Sequence, residues 1–536
     1  MAIALKDLRV ACILDEFSYE CFRPECNLIK FGPNDWMDIF TKERPDLLFV
    51  ESAWQGNDQQ WTGRVGYYNE DKEKPLRKLL HWCKQNDIPT VFWNKEDPVH
   101  FNRFINHAKY FDYIYTTDEN SKIKYQEKVQ NTPIDVLPFA AQPKIHNPIR
   151  VKNYKNRNIC FSGSYYGTQH PERTKDMNVL LDVATKYGLD IYDRNYNVKS
   201  TNYRFPPKYK KFIAGNLPYK KLVDVSKEYK VCINVNSVKN SPSMCSRRIF
   251  ELLSSGIKVV SNSSPAIERW FMNIVSVAED RKNINTILNK AINNTWWREQ
   301  KELQGIRKIY DQHTYGHRLY KIAKNCGISV ITPYNHKVQV ISYANNLEQI
   351  DTVYKYFNSQ DYSNKTLTVF VGDSFTNSMI KRANKTFACN IIRITDRKGK
   401  ISDLVDRYDY LTYFDPGNYY GPYFLTDLLI GAIYSNATIV GKGSYFQFYD
   451  KTGQIDLMNS RLKYSYTSKV LNVAAIIHHS VIEQCQTRLM DLFNKDIFYR
   501  KFRKTAKFSI DPYNFIKNDR MPVPNKMNRH KRIVSI

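Results

Sequence analysis

Short apolar runs alternate along this chain with stretches whose apolar positions recur at helical spacing. The alternation is first seen in residues 1–145. LRVACIL (8–14), DLLFVES (46–52), TVFWN (90–94) and YFDYIYTTD (110–118) predict buried strands, and PLRKLLHWCKQNDI (75–88) predicts an amphipathic helix. HNPIRVKNYKNRN (146–158) is polar and basic and reads as a linker. The pattern then restarts. NICFSGSY, LDIYD, KVCINVNSV and IKVVSN predict strands; MNVLLDVATKYG, YKKLVDVSKEY and RRIFELLSSG predict helices, two of them stopped by Gly188 and Gly256. A third restart comes with KVQVISYANN, LEQIDTVYKYFNSQ and LTVFVGD. Strands alternating with helices imply parallel sheets with helical crossovers, an α/β fold. The expected organisation is a Rossmann-like domain over 1–150, a second over 151–333, a third α/β domain over 334–495 and a loose, basic tail over 496–536.

Composition adds limits. The 536 residues exceed one hydrophobic core, and 42% hydrophobic content is enough to pack several. No apolar run is long enough to span a membrane, and the N-terminus reads as a strand rather than a signal peptide, so a cytoplasmic location is expected. The ten cysteines show neither a CxxC pair nor zinc spacing, which predicts free thiols and no metal site. A formal charge of +27 favours an anionic partner. No zinc-finger or RNP-type sequence points that charge at nucleic acid.

Ligands of open α/β sheets bind beyond the carboxyl ends of the strands. Those positions carry Asp15-Glu16, Glu51 to Trp54, Asn94 to His100 and Thr116 to Asp118. Helix capping explains some of these residues; the Asn94–His100 loop reads as functional. In the second segment Gly163, Ser164 and Tyr165 follow a strand and precede Arg173 and Lys175. A small-residue loop with cations nearby suits a phosphate, although the GK[ST] ending of a Walker loop is absent. Further on, Arg247 and Arg248 open a helix carrying Glu251. Glu251 can accept ribose hydroxyls while the arginines face a diphosphate, or Arg247 and Glu251 form an i, i+4 ion pair; the spacing allows both.

The strings PDLLFVESAW, IPTVFWNKEDPVHF, FDYIYTTD, VLPFAAQP, CFSGSYYGTQHPER, YRFP, INVNSV and SRRIFELLSSG, in this order across residues 8–275, resemble the CgeB/YkvP-type, spore-maturation-like glycosyltransferases of GT-B architecture. The resemblance implies a nucleotide-diphosphate sugar held by the second domain, an acceptor held by the first and no required metal. It implies a ribose contact for Glu251 and donor contacts for Asn236, Arg173 and Lys175. Ser243 stands where related enzymes often carry a Glu near the sugar. Asp97 and His100, then Glu51, are the candidates for a base. The third segment resembles a GT-A, family 2-like transferase at Asp415 and Asn418, within YFDPGNYYGP. Only Asp415 remains of the usual Asp run, which implies a degenerate domain, with a divalent metal needed only if it is active. The function expected is glycosyl transfer to a hydroxyl of a glycan, polymer or lipid-linked acceptor, such as a cell-surface glycopolymer, without nucleic acid. The alternative is a non-catalytic glycan- or polymer-binding protein descended from such an enzyme. The basic tail either touches the inner membrane face or packs with its cations outward.

Overall fold

The structure, a computed structural model, describes residues 2–66, 70–198, 203–394, 400–518 and 527–536. The chain divides into two units, Met1–Pro333 and Tyr334–Ile536.

The first unit holds two parallel sheets. One contains β1 (Arg9–Ile13), β2 (Asn27–Lys30), β3 (Leu47–Glu51), β4 (Thr90–Asn94), β5 (Tyr113–Thr116) and β6 (Ile134–Val136) in the order β2-β1-β3-β4-β5-β6. The other contains β7 (Arg157–Gly163), β8 (Leu189–Asp193), β9 (Ile213–Gly215), β10 (Tyr229–Asn234), β11 (Lys258–Ser261) and β12 (Ser276–Val277) in the order β12-β11-β10-β7-β8-β9. The second order is that of a dinucleotide-binding Rossmann sheet. Every residue of β3, β4 and β11 is buried, as expected of parallel strands covered on both faces. The predicted helix stop at Gly256 has φ +65°, a conformation side chains disfavour.

The domain limits differ from the sequence expectation. The helix Tyr315–Asn325 crosses back to the first sheet, where Tyr315, Leu319, Ile322 and Ala323 pack with Val10, Cys12 and Leu47. Val330 then bridges to Ile3. The apolar stripe at i, i+4, i+7 and i+8 has its partner on the first sheet, so residues up to 333 do not all belong with the second. The stretch read as a linker is also structural: His146 is fully buried and Asn147 nearly so.

The second unit contains an eight-stranded mixed sheet and a four-stranded one. In the first, Val338–Ala344, Lys365–Val371, Asn390–Arg393 and Tyr410–Tyr413 are parallel, while Ala475–His478 runs antiparallel beside Tyr410–Tyr413. The expected loose tail is part of this unit. Lys507–Ser509 pairs with Ile439–Gly441, and Phe515–Lys517 pairs with Tyr419–Tyr420 and Tyr445–Tyr449. Phe498, Phe502, Phe508 and Phe515 are completely buried beneath the basic residues that made the segment look solvated. Part of the tail, 519–526, lies outside the described residues. Among the described residues no helix is long and apolar enough to cross a membrane, and all ten cysteines are free thiols.

Candidate active site

Both sheets of the first unit turn carboxyl ends of their central strands onto one cleft of about 1540 Å³. The strand order reverses between β1 and β3 in the first sheet and between β7 and β10 in the second, the two places where such sheets bind ligands.

On the first wall, Asp15 and Lys95 meet at the ends of β1 and β4. The Asp15 carboxylate accepts from the backbone N–H groups of Gln55 and Gly56 at 2.9 Å and of Trp54 at 3.2 Å. Lys95 Nζ donates to Asp15 at 3.1 Å and to Glu51 at 2.9 Å. Glu51 further accepts from the Asp15 backbone N–H and the Ser18 hydroxyl. Burial raises the Glu51 pKa despite Lys95. Burial also opposes charge on Asp15, but Lys95 and the three backbone N–H groups outweigh it and hold the pKa down. Burial would lower Lys95, yet the two carboxylates keep its pKa raised. This cluster orders the wall, and Glu51 sits behind it with no exposure.

The other two expected bases also lie off the cleft lining. Asp97 is 0% exposed and accepts from Asn94 Nδ2 (2.8 Å), the Thr116 hydroxyl (2.6 Å) and the Tyr125 hydroxyl (3.1 Å). Burial pushes its pKa up to about 7. His100 packs edge-on against Trp54 with ring centres 5.2 Å apart. Glu16, Glu20 and Glu96 are the first-domain Glu residues that line the cleft. In the polar loop Asn94–His100, Lys95 and Glu96 line the cleft, while Asp97 turns inward to tie β4 to β5.

The second wall is cationic. Ser162, Gly163, Ser164, Tyr166, Arg173, Arg194, Arg247 and Arg248 line it, and among the described residues Asp224, paired with Lys227 at 3.0 Å, is its one carboxylate. Arg173 donates to the Ser164 carbonyl at 3.0 Å and stacks over Tyr166, 5.0 Å from the ring centre. Its buried Nε has no hydrogen-bond partner, and burial lowers its pKa. An anion against this loop would supply the missing acceptor. Arg248 donates to the Ser162 hydroxyl. Asn236 accepts from the Ser246 N–H and gives its own N–H to Asn262. Tyr165 and the exposed Lys175 instead line a separate shallow depression.

Glu251 lies just behind this wall, 6% exposed. The i, i+4 contact is present: Arg247 Nε is 2.8 Å from Glu251 Oε1. The pair is buried rather than superficial. Burial works against the Glu251 charge, but Arg247 and Arg248 outweigh it and lower the pKa overall. Tyr219 donates to the same Oε1 at 2.9 Å. Tyr219 and its partner His146 were not legible from local pattern, since they stand 73 residues apart.

Ser243 does not face the cleft. Its hydroxyl donates to the Thr117 carbonyl at 2.9 Å and accepts from the Glu119 N–H at 2.8 Å. Ser241 donates to Asp118 beside it at 2.6 Å. The position expected near the sugar is therefore part of the seam that joins the two Rossmann-like domains.

In the second unit, Asp415 accepts from the Gly417 N–H at 2.8 Å, and burial raises its pKa. The Asn418 carbonyl oxygen, the atom that would ligate a metal, is engaged by the Asn518 N–H at 2.8 Å. No three His, Cys, Asp or Glu side chains converge as metal ligands among the described residues.

Two Rossmann-like domains facing across a cleft define the GT-B architecture, and the chain carries it between residues 9 and 277. Residues 141–324, the second domain and the returning helix, match the family described as glycosyl transferase-like. Among solved structures the chain is similar to a mutant of S. aureus TarM, described in complex with Fondaparinux, alpha-GlcNAc-glycerol and UDP. The identity is 12%, with 47% of this chain and 58% of that one covered and a TM-score of 0.32. The chain thus spans less than two thirds of that protein's length. No curated protein matches the sequence.

Proposed function

We propose that the chain is a glycosyltransferase that moves a sugar from a nucleotide-diphosphate sugar to a hydroxyl acceptor. The observation that carries this reading is the second wall of the cleft, where a small-residue strand exit, Arg248 and Arg173, whose buried Nε has no hydrogen-bond partner, lie at the switch point of a Rossmann sheet. In the reaction the acceptor oxygen forms a bond to the anomeric carbon, and the bond to the diphosphate breaks. The electron pair leaves with the diphosphate, whose growing charge meets Arg173, Arg248 and the backbone N–H groups after β7. The acceptor proton passes to a carboxylate of the first wall, where Glu16 and Glu96 line the cleft and Asp97, His100 and Glu51 do not. The acceptor class is a glycan, polymer or lipid-linked hydroxyl, with a cell-surface glycopolymer or glycoconjugate in view and the reaction placed in the cytoplasm.

The second reading is a non-catalytic glycan or polymer binder. It is favoured by one observation, that Ser243 puts no carboxylate near the sugar and serves the seam instead.

Thermal unfolding with a panel of nucleoside diphosphates and their sugars tests the proposal. At a hundredfold excess over Kd, ligand stabilises the fold by about 2.7 kcal/mol, and Glu251→Ala should abolish that shift while the protein stays folded. A shift unchanged by Glu251→Ala removes the ribose assignment. No shift with any diphosphate favours the binder reading, as does binding without donor hydrolysis or transfer.

A further inference from the structure

Glu251 is held by groups that the chain brings together from three places. His146 Nδ1 accepts from the Gln142 backbone N–H at 2.9 Å. Burial keeps this imidazole neutral, pulling its pKa down to about 4. A neutral imidazole that accepts at one nitrogen carries its proton on the other. Nε2 therefore donates to the Tyr219 hydroxyl, 2.6 Å away. That hydroxyl, having accepted, gives its own proton to Glu251 Oε1 at 2.9 Å. Arg247 approaches the same oxygen at 2.8 Å, its guanidinium 3.3 Å from the centre of the Phe17 ring on the opposite domain.

Both contacts fall on Oε1, which fixes the carboxylate plane and leaves Oε2 as the oxygen not engaged by them. Arg247 alone would neutralise the buried charge; the imidazole and hydroxyl add direction. Tyr219 and Arg248 line both the cleft and an adjoining water-sized void of about 10 Å³ that Glu251 lines too.

On the nucleotide-donor reading above, we infer that His146 and Tyr219 are positioning residues of a ribose site, orienting Glu251 so that Oε2 accepts from one ribose hydroxyl. They act through Glu251, so their removal should be felt only by ligands that carry that hydroxyl.

The test is calorimetric titration of wild type, Tyr219→Phe and His146→Gln with the uridine, adenosine, guanosine and cytidine diphosphates and their 2′,3′-dideoxy counterparts. Wild type should prefer one ribonucleotide over its dideoxy form. Tyr219→Phe should weaken that ribonucleotide about tenfold, the scale of a lost hydrogen bond at a charged group, and leave the dideoxy compound unchanged. His146→Gln should act in the same direction and carries the test if Tyr219→Phe does not fold. An equal loss for both ligands, or no loss, overturns the inference. Equal wild-type affinity for both overturns the ribose site while the donor reading stands. Binding of none of the diphosphates overturns the two together.

Discussion

Asp97 ties β4 to β5 through three hydrogen bonds, and its pKa of about 7 makes it a sensor of its own burial. The folded value lies above the unfolded one, so its contribution to stability is full at low pH and is lost as pH rises through 7. Asp97→Asn cannot ionise. Relative to wild type, the variant should therefore gain about 2 kcal/mol between pH 5 and pH 8 in urea unfolding; a difference independent of pH would show that Asp97 is already charged at pH 5. The sequence marked this loop as polar and strand-terminal, which it is, but polarity does not tell which side chain turns inward. Lys95 and Glu96 face the cleft, whereas their neighbour Asp97 satisfies buried donors. Glu51 shows the same limit: it is fully buried, accepts from Lys95 and does not line the cleft. His146 and Tyr219 carried no local signal, because their meaning lies in a contact between distant segments.

At the scale of elements, the strands β1, β3, β4, β5, β7, β8, β10 and β11 were legible, being runs of mostly buried residues bounded by polar ones. β2, β6, β9 and β12 were not. They have two to four residues and partly exposed faces, too little for a periodicity. Lys507–Ser509 and Phe515–Lys517 were hidden by the cations around them. The helix Tyr315–Asn325 was the larger surprise, since an amphipathic stripe does not say which sheet it will cover. Leu319 is completely buried in the first sheet's core. Leu319→Ala should cost about 2–5 kcal/mol. Amide exchange should speed up in β1 and β3 before β7 and β10; uniform loss of protection across both sheets would mean that the helix serves the two domains equally.

Across the molecule, four histidines shape the response to acid. Burial lowers His107, His146 and His317 to about 4 and His313 to about 2. Their folded values lie below the unfolded one, so the stability they contribute is present above about pH 6.5 and is lost as pH falls toward those values. Between about pH 4 and 6.5 the unfolded chain binds four protons here that the native one does not, while Asp97 binds one in the opposite sense. Stability should therefore rise by on the order of 4 kcal/mol per pH unit around pH 5. Urea titrations of wild type at pH 4.5, 5 and 6 check this, and a flat profile would place compensating groups elsewhere.

The return of the helix Tyr315–Asn325 to the first sheet has a consequence in time. A ribosome extends the chain at about 5–20 residues per second, so roughly 10–40 s separate the emergence of β6 from that of the helix that covers its sheet. Throughout that interval Val10, Cys12, Leu47 and their neighbours lack their cover. The domain begun first is finished after its sibling, and nascent-chain capture by a holdase should be strongest while the second domain is still being made.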